Sequence, residues 1–542
     1  MSSLRNGTPP NILWLSMEDT TADRLGCYGD DLSRTPNIDE RLAGEGRRYR
    51  NAFCPSPVCS PSRSATITGM YPTAVGCHQH RPDRERPGLP PSHRVVTPHY
   101  VRSFTELLRA AGYYCAKRGK NDFQFGHPFT VWNDYGRDET DVVWRDRDGD
   151  QPFFASYQNG ISHESGMYPP DTESDRSLET DPGTVTVPPY LPDTDPTRRA
   201  LARHYDNLAA SDDWIGGLLD ELAADSLVEN TVVVLWSDHG EGLPRCKSWL
   251  YDRGLNVPLI VRWPGEIEAG TETTELVSLV DLARTMLELA NAEVPTFLQG
   301  QQFLGEDRDD PREYVFASRD RQDESYAMQR AVRDQRYKYI RNYYPARPNP
   351  WFQYRNNHPA MREIKRLERE GELNGPMAWF AEPRPAEELY DLDVDPHETE
   401  NLVADPAYRE TLDRLRGALD DWRERTGDMG ETAEDRLVEE WWPDGNQPET
   451  ARPTFVPNVS GRPGRDDAPD GGEFEGPMTV RIDCGTQGAS VAYTTQRGED
   501  PDWKLYTEPI RIERGELTLR TKAVRYGYSE SDERIATFSV SD

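Results

Sequence analysis

Asn11-Ile-Leu-Trp-Leu-Ser16, followed at once by Met17-Glu-Asp-Thr20, is the stretch on which the fold turns. The apolar run at 12–16 has the length of a buried strand, and two acids stand where it ends. In open α/β sheets ligands bind at the carboxyl ends of strands, so Glu18 and Asp19 fall where a site is expected. Similar runs recur at 153–158, 231–237 and 258–262. Between them lie helical patterns. The clearest covers 196–224, where Leu201, Tyr205, Leu208, Ile215, Leu218 and Leu222 recur mostly at three- and four-residue steps. Residues 104–111 and 280–290 carry shorter versions. This alternation predicts an α/β sheet covered by helices on both faces.

After about residue 310 the texture changes. Residues 314–318 and 337–342 read as antiparallel strands, and 406–426 as a closing amphipathic helix. From about 440 to 475 the chain is rich in Pro, Gly, Asp and Glu, which reads as a linker. Beyond it, 478–482, 490–495 and 517–523 alternate in strand fashion around turn residues, as in a small β-sandwich. Through this pattern and Tyr493-Thr-Thr495 the tail resembles the modules appended to chitobiases and other carbohydrate-active enzymes. The expected division is therefore a catalytic α/β domain at 1–310, a smaller subdomain at 311–440, an acidic linker at 441–474 and a β-module at 475–542.

A chain of 542 residues is long enough for more than one core. Its formal charge is −32, and with 7 lysines among 63 basic residues it holds 63 − 7 = 56 arginines. Such a charge repels polyanions at low salt and argues against a nucleic-acid partner. Carboxylate-rich, lysine-poor surfaces suit a salt-rich milieu, where the Debye length shrinks to about 3 Å and only local charges count. This predicts a halophilic protein. No apolar run approaches the roughly 20 residues a bilayer requires, and residues 1–10 are polar, so no membrane association and a cytoplasmic location are expected. The seven cysteines, at 27, 54, 59, 77, 115, 246 and 484, form no CxxC pair and argue against a disulfide framework or a zinc site.

One short segment points to chemistry: Cys59-Ser-Pro-Ser-Arg63, continued by Ser64-Ala-Thr-Ile-Thr-Gly69. It lies where a loop should feed a helix whose first stretch is 65–70. A helix N-terminus presents free backbone N–H groups and a positive dipole end, which suit an anionic ester, and Arg63 would lie close by. This segment resembles the signature of the sulfatases, in which the first residue of C-x-P-S-R is oxidised to formylglycine by a maturation enzyme. The resemblance implies an alkaline-phosphatase-like mixed sheet sandwiched by helices, with a small antiparallel C-terminal subdomain. It also implies that residue 59, as a hydrated aldehyde, attacks sulfur and later expels sulfate.

Further segments match the family in order. Glu18 and Asp19 stand where sulfatases place two aspartates around calcium, and Ser237-Asp-His-Gly240 matches the second metal element through Asp238 and His239. A hard cation is implied, calcium first, with magnesium or manganese the other candidates. Lys247 opens Lys-Ser-Trp-Leu-Tyr-Asp-Arg-Gly254, similar to K-x-x-x-Y-E-x-G with Asp252 in place of glutamate. Gly119-Lys120 matches the G-K element, which makes Lys120 a contact to the sulfate or the formylglycine, but Asp122 stands where the family often has histidine. His163 in Ser162-His-Glu164 is then the expected general acid, because a departing alkoxide or amine needs a proton donor near neutral pH. His78 and His80 are further candidates for the pocket wall.

Within the family the chain most resembles the heparan N-sulfatase branch, through Val187-Pro-Pro-Tyr190, Pro192-Asp-Thr194, Glu388-Leu-Tyr-Asp391 and Asp395-Pro-His-Glu398. A sulfated carbohydrate is the implied substrate, with glucosamine N-sulfate ahead of an O-sulfated glycan. Two other readings stand beside it: a phosphodiesterase or phosphonate monoester hydrolase of the same superfamily, and a catalytically silent protein that binds sulfated glycans.

Overall fold

The computed structural model describes residues 9–168, 177–347, 349, 352–459, 471–499 and 501–541. Its central feature is an eight-stranded mixed sheet. In spatial order the strands are Asp134–Gly136, Tyr114–Arg118, Phe153–Gln158, Asn11–Met17, Thr231–Ser237, Leu259–Arg262, Arg47–Phe53 and Thr271–Ser278. The first five run parallel, and Leu259–Arg262 is antiparallel to both of its neighbours.

Alternation along Asn11–Met17 explains why this strand is central. Ile12 and Trp14 face one layer, where Trp14 packs against Phe104, Phe154 and Trp236 with ring centroids 5.1–5.4 Å apart. Leu13 and Leu15 face the other layer and meet the 30-residue helix Asp195–Ala224 through Leu201, Leu208, Ile215 and Leu222. A strand buried on both faces has no polar side to show, hence its continuous apolar run.

A second, four-stranded antiparallel sheet takes the order Glu387–Asp391, Tyr337–Asn342, Ser325–Arg333, Val315–Gln322. The helix Arg409–Thr426 docks it to the main body: Trp422 stacks on Phe316 at 5.1 Å and meets Tyr71 edge-on at 5.0 Å. Buried Arg330 lies on Ser325–Arg333 and is neutralised by Asp320 and Asp428. A strand carrying a charge inward breaks apolar alternation, so it left no pattern in the sequence.

The tail folds as two packed sheets around Phe455, Val480, Leu519 and Phe538. One of its strands, Thr454–Val459, lies within the stretch expected to be linker and pairs antiparallel with Met478–Asp483. Phe455 and Pro457 are buried in this strand, and a proline is tolerated at a sheet edge. Of the same stretch, 460–470 lies outside the described residues, and Gly471–Glu475 is a further strand, parallel to Arg534–Ser541, where linker was expected. All seven cysteines are free. Among the described residues no helix is long and apolar enough to cross a membrane.

Candidate active site

Four neighbouring parallel strands end at one edge of the large sheet, and each hands over to a polar loop. Tyr114–Arg118 leads to Lys120, Phe153–Gln158 to His163 and Glu164, Asn11–Met17 to Glu18 and Asp19, and Thr231–Ser237 to Asp238 and His239. The turn into Lys120 requires glycine: Gly119 has φ +92° and a Cβ there would lie 2.2 Å from the Gln158 carbonyl oxygen. Asp19 itself is held at φ +50°, a backbone state in which local strain is stored at sites.

The helix Cys59–Thr68 faces this edge. It begins at Cys59 rather than near residue 65, with Val58 extended before it and no side chain capping its N–H groups. Its first turn is polar and contains Pro61, which a first turn accommodates, so the apolar pattern starts late. Ser62 Oγ donates to the Asp238 carbonyl oxygen at 2.6 Å and pins the helix to the strand end.

The nine catalytic and metal-binding candidates, Glu18, Asp19, Cys59, Arg63, Lys120, His163, Asp238, His239 and Lys247, lie at this edge. Arg63 bridges two carboxylates, with Nη2 at 2.9 Å from Asp238 Oδ2 and 3.3 Å from Glu18 Oε1. Lys247 Nζ sits 2.9 and 3.0 Å from the Asp19 oxygens and 2.8 Å from Glu164 Oε1. Lys120 Nζ lies 2.7 Å from Glu18 Oε1 and 3.2 Å from Asp122 Oδ2. Its side chain is 29% exposed, against 2–3% for Lys247 and Arg63, so it is the cation most open to a ligand. His239 Nδ1 donates to the Gly240 carbonyl oxygen at 3.0 Å. That leaves the Nε2 lone pair facing Cys59 Sγ at 3.3 Å and Asp19 Oδ1 at 3.2 Å.

The charges are mutually held. Burial alone would raise the Glu18 and Asp19 carboxyls, but Lys120 and Arg63 beside the first, and Lys247 and His163 beside the second, keep both below the usual carboxylate range. Burial likewise disfavours the Lys247 ammonium, and Asp19, Cys59 and Glu164 outweigh it. His163 is half-buried, at the rim. Its Nδ1 accepts from the Ser165 N–H at 3.3 Å, so a neutral ring carries its proton on Nε2.

The donor set converges as a divalent cation requires. Ligand atoms of Asp19, Cys59 and His239 lie within 4.8 Å of one another, as do those of Glu18, Cys59 and Asp238. Three buried carboxylates are hard donors, the imidazole presents a lone pair, and residue 59 stands between both groups. Such a set fits calcium, magnesium or manganese.

Sequence reasoning missed several neighbours. Glu164 is buried and receives Lys247, Arg355 Nε at 3.4 Å and the Tyr168 hydroxyl at 3.1 Å. Its place beside His163 was the available signal. Asp122, read only as a departure, pairs with Lys120 and with Arg81, whose Nη2 is 3.3 Å away. Tyr354 and Arg355 arrive from the second subdomain and had no local signal. Of the two pocket-wall candidates, His78 is buried, which lowers its basicity, and His80 Nδ1 faces Asp323 Oδ1 at 3.3 Å.

Comparison with known proteins bears on this arrangement. A family model described as Sulfatase matches residues 10–140 and 137–292, and one described as N-sulphoglucosamine sulphohydrolase, C-terminal, matches 244–373. The Chitobiase/beta-hexosaminidase C-terminal domain matches 469–536. An Ulvan-active sulfatase of Formosa agariphila is 37% identical, covering 96% of this chain and 90% of that protein. The N-sulphoglucosamine sulphohydrolase of Homo sapiens is 28% identical, covering 80% and 93%. In fold, the chain resembles a solved structure held in complex with its substrate D-glucosamine-2-N,6-O-disulfate. The TM-score is 0.56, with 20% identity over 79% of this chain and 100% of that one.

Proposed function

The chain belongs to the sulfatase family, and from that premise we propose that it removes sulfate from a carbohydrate with residue 59 as the seat of the nucleophile. The observation carrying this reading is the position of Cys59. It starts a helix and faces His239, within a ring of three buried carboxylates and three cations. Oxidised by a maturation enzyme, Cys59 would supply a hydrated aldehyde whose oxygen is a strong nucleophile for sulfur. Glu18, Asp19, Asp238 and His239 would hold the divalent cation, calcium first, which supplies positive charge against the sulfate oxygens.

The remaining chemistry falls to the protein's own groups. Arg63 fixes the Glu18 and Asp238 carboxylates relative to each other. Lys120, held by Glu18, and Lys247, held by Asp19, offer N–H donors to sulfate oxygens, where charge develops as the S–O or S–N bond lengthens. His163, whose Nδ1 is taken by the Ser165 N–H, gives a proton from Nε2 to the leaving atom. The carbohydrate class follows the names of two relatives, which point to ulvan and to N-sulphoglucosamine. A panel of sulfated sugars, sulfated ulvan fragments, nitrophenyl sulfate and phosphate or phosphonate esters tests the reading. Sulfate release is expected, and turnover confined to the phosphorus esters, or binding without turnover, would overturn it.

Two expected results follow. His163→Ala lowers turnover of sugar sulfates by about 100-fold or more, while an aryl sulfate with a good leaving group loses far less, because it needs little protonation. Equal losses on both would remove the acid role. Stability and activity rise toward molar salt as repulsion within a chain of charge −32 is screened. Thermal unfolding measured from dilute buffer to molar sodium chloride checks this, and a maximum in dilute buffer would remove the halophilic reading alone.

A further inference from the structure

The C-terminal β-module offers little for binding sugar by stacking. Among its described residues Ile535 is the sole large hydrophobic side chain that is exposed. Two of its aromatic groups, Trp503 and Tyr526, are spent instead on the catalytic body. Trp503 packs on Phe129 with centroids 5.8 Å apart, and the Lys522 ammonium sits 3.8 Å from the Phe129 centroid. Ser490 Oγ donates to Glu106 Oε2 at 2.7 Å with both residues buried, and Arg525 Nη2 donates to the Thr97 carbonyl oxygen at 2.7 Å. Tyr526 is 2% exposed. Its ring lies parallel to Phe125, 5° between planes and 4.6 Å between centroids, and its hydroxyl accepts from the Ser103 N–H at 3.0 Å. The next residue closes the contact: the Gly527 N–H donates to the Phe125 carbonyl oxygen at 3.1 Å.

Phe125 belongs to the short loop that leaves the active site at Lys120. Between them stands Gln124, 3% exposed, whose backbone N–H donates to Ser64 Oγ at 3.1 Å and whose Nε2 donates to Ser60 Oγ at 3.2 Å. Ser60 is the neighbour of Cys59, and Ser64 lies one turn further along the same helix. A continuous set of direct contacts therefore runs from Tyr526 through Phe125 and Gln124 to the helix that starts at the nucleophile position. The same loop carries Lys120 and Asp122, so the module also braces one wall of the pocket.

We propose that Tyr526 of the β-module is a positioning residue for hydrolysis, acting through Phe125 and Gln124 on the helix that begins at Cys59. The module is then a fixed part of the catalytic body. This deepens the proposed function and rests on it. The stack supplies a rigid, flat contact, and small displacements of a reacting group are costly, about 100-fold for 1 Å.

The test uses the full chain and nitrophenyl sulfate, a probe too small to reach the module. Rates are taken well below the unfolding temperature and expressed per mole of residue 59 converted to aldehyde, counted by peptide mass. Tyr526→Ala is expected to lower kcat by about tenfold or more with KM within about twofold, whereas Tyr526→Phe, which keeps the stack, retains most of the rate. Gln124→Ala removes the side-chain link to Ser60, the neighbour of Cys59, without touching the module and is expected to lower kcat in the same direction. The double variant should be no worse than the stronger single one, as for residues acting in series. Unchanged kcat in Tyr526→Ala, or in Gln124→Ala should the first variant fail to fold, overturns the proposal, as does a loss confined to KM or to polymeric substrate. A wild-type protein inactive on every sulfate ester would instead sink the hydrolase reading.

Discussion

Cys59→Ala is expected to reduce sulfate release by about 10⁴-fold or more, the largest single effect in this protein. The side chain is 1% exposed and touches His239 Nε2, so alanine removes the nucleophile position while leaving a small cavity that the surrounding Ser62–Asp238 and Arg63–Asp238 contacts tolerate. The folded state should survive, because those anchors do not pass through the sulfur. In active wild-type protein, peptide mass at residue 59 should reveal aldehyde or its hydrate in place of thiol. Only thiol in fully active protein would end the formylglycine reading, and a Cys59→Ala protein of near-normal rate would end any role for the residue.

Asp238→Asn should follow, with a loss of about 10²–10³ in kcat and a parallel fall in bound divalent metal. Asparagine keeps the shape, and the backbone N–H donors of Asp19 at 3.4 Å and His239 at 3.0 Å still find an oxygen. What disappears is the charge facing Arg63, whose Nη2 lies 2.9 Å from Asp238 Oδ2. Arg63 is then balanced by Glu18 alone, and the donor set for a dication drops from three carboxylates to two. The measurement pairs steady-state rates with metal analysis after dialysis. Wild-type activity that survives exhaustive chelation, or a variant that keeps both rate and metal, would contradict the assignment.

The sequence by itself determined what depends on local order. The strands at 153–158 and 231–237 and the helix near 196–224 were legible because burial on both faces, or on one helical face, writes a continuous or periodic apolar pattern. That most of the nine candidate residues would lie near one another was legible because they sit in short segments next to a strand end or helix start, whereas Lys247 lies well past the nearest strand end and rested on the family resemblance. The strands Arg47–Phe53 and Ser325–Arg333 were not legible, since their charged side chains interrupt alternation and are balanced by groups far away in sequence, as Arg330 is by Asp428.

Only the tertiary structure decided which charges pair, because ion pairs within the site join residues up to 228 positions apart, as Lys247 and Asp19 are. It also decided that Glu164, Tyr354 and Arg355 back Lys247, that Asp122 serves Lys120 and Arg81, and that the module leans on Phe125. The physical reason is common to all of these: a buried charge or a flat aromatic face must find a partner, and folding supplies it from whichever segment the sheet edge brings near.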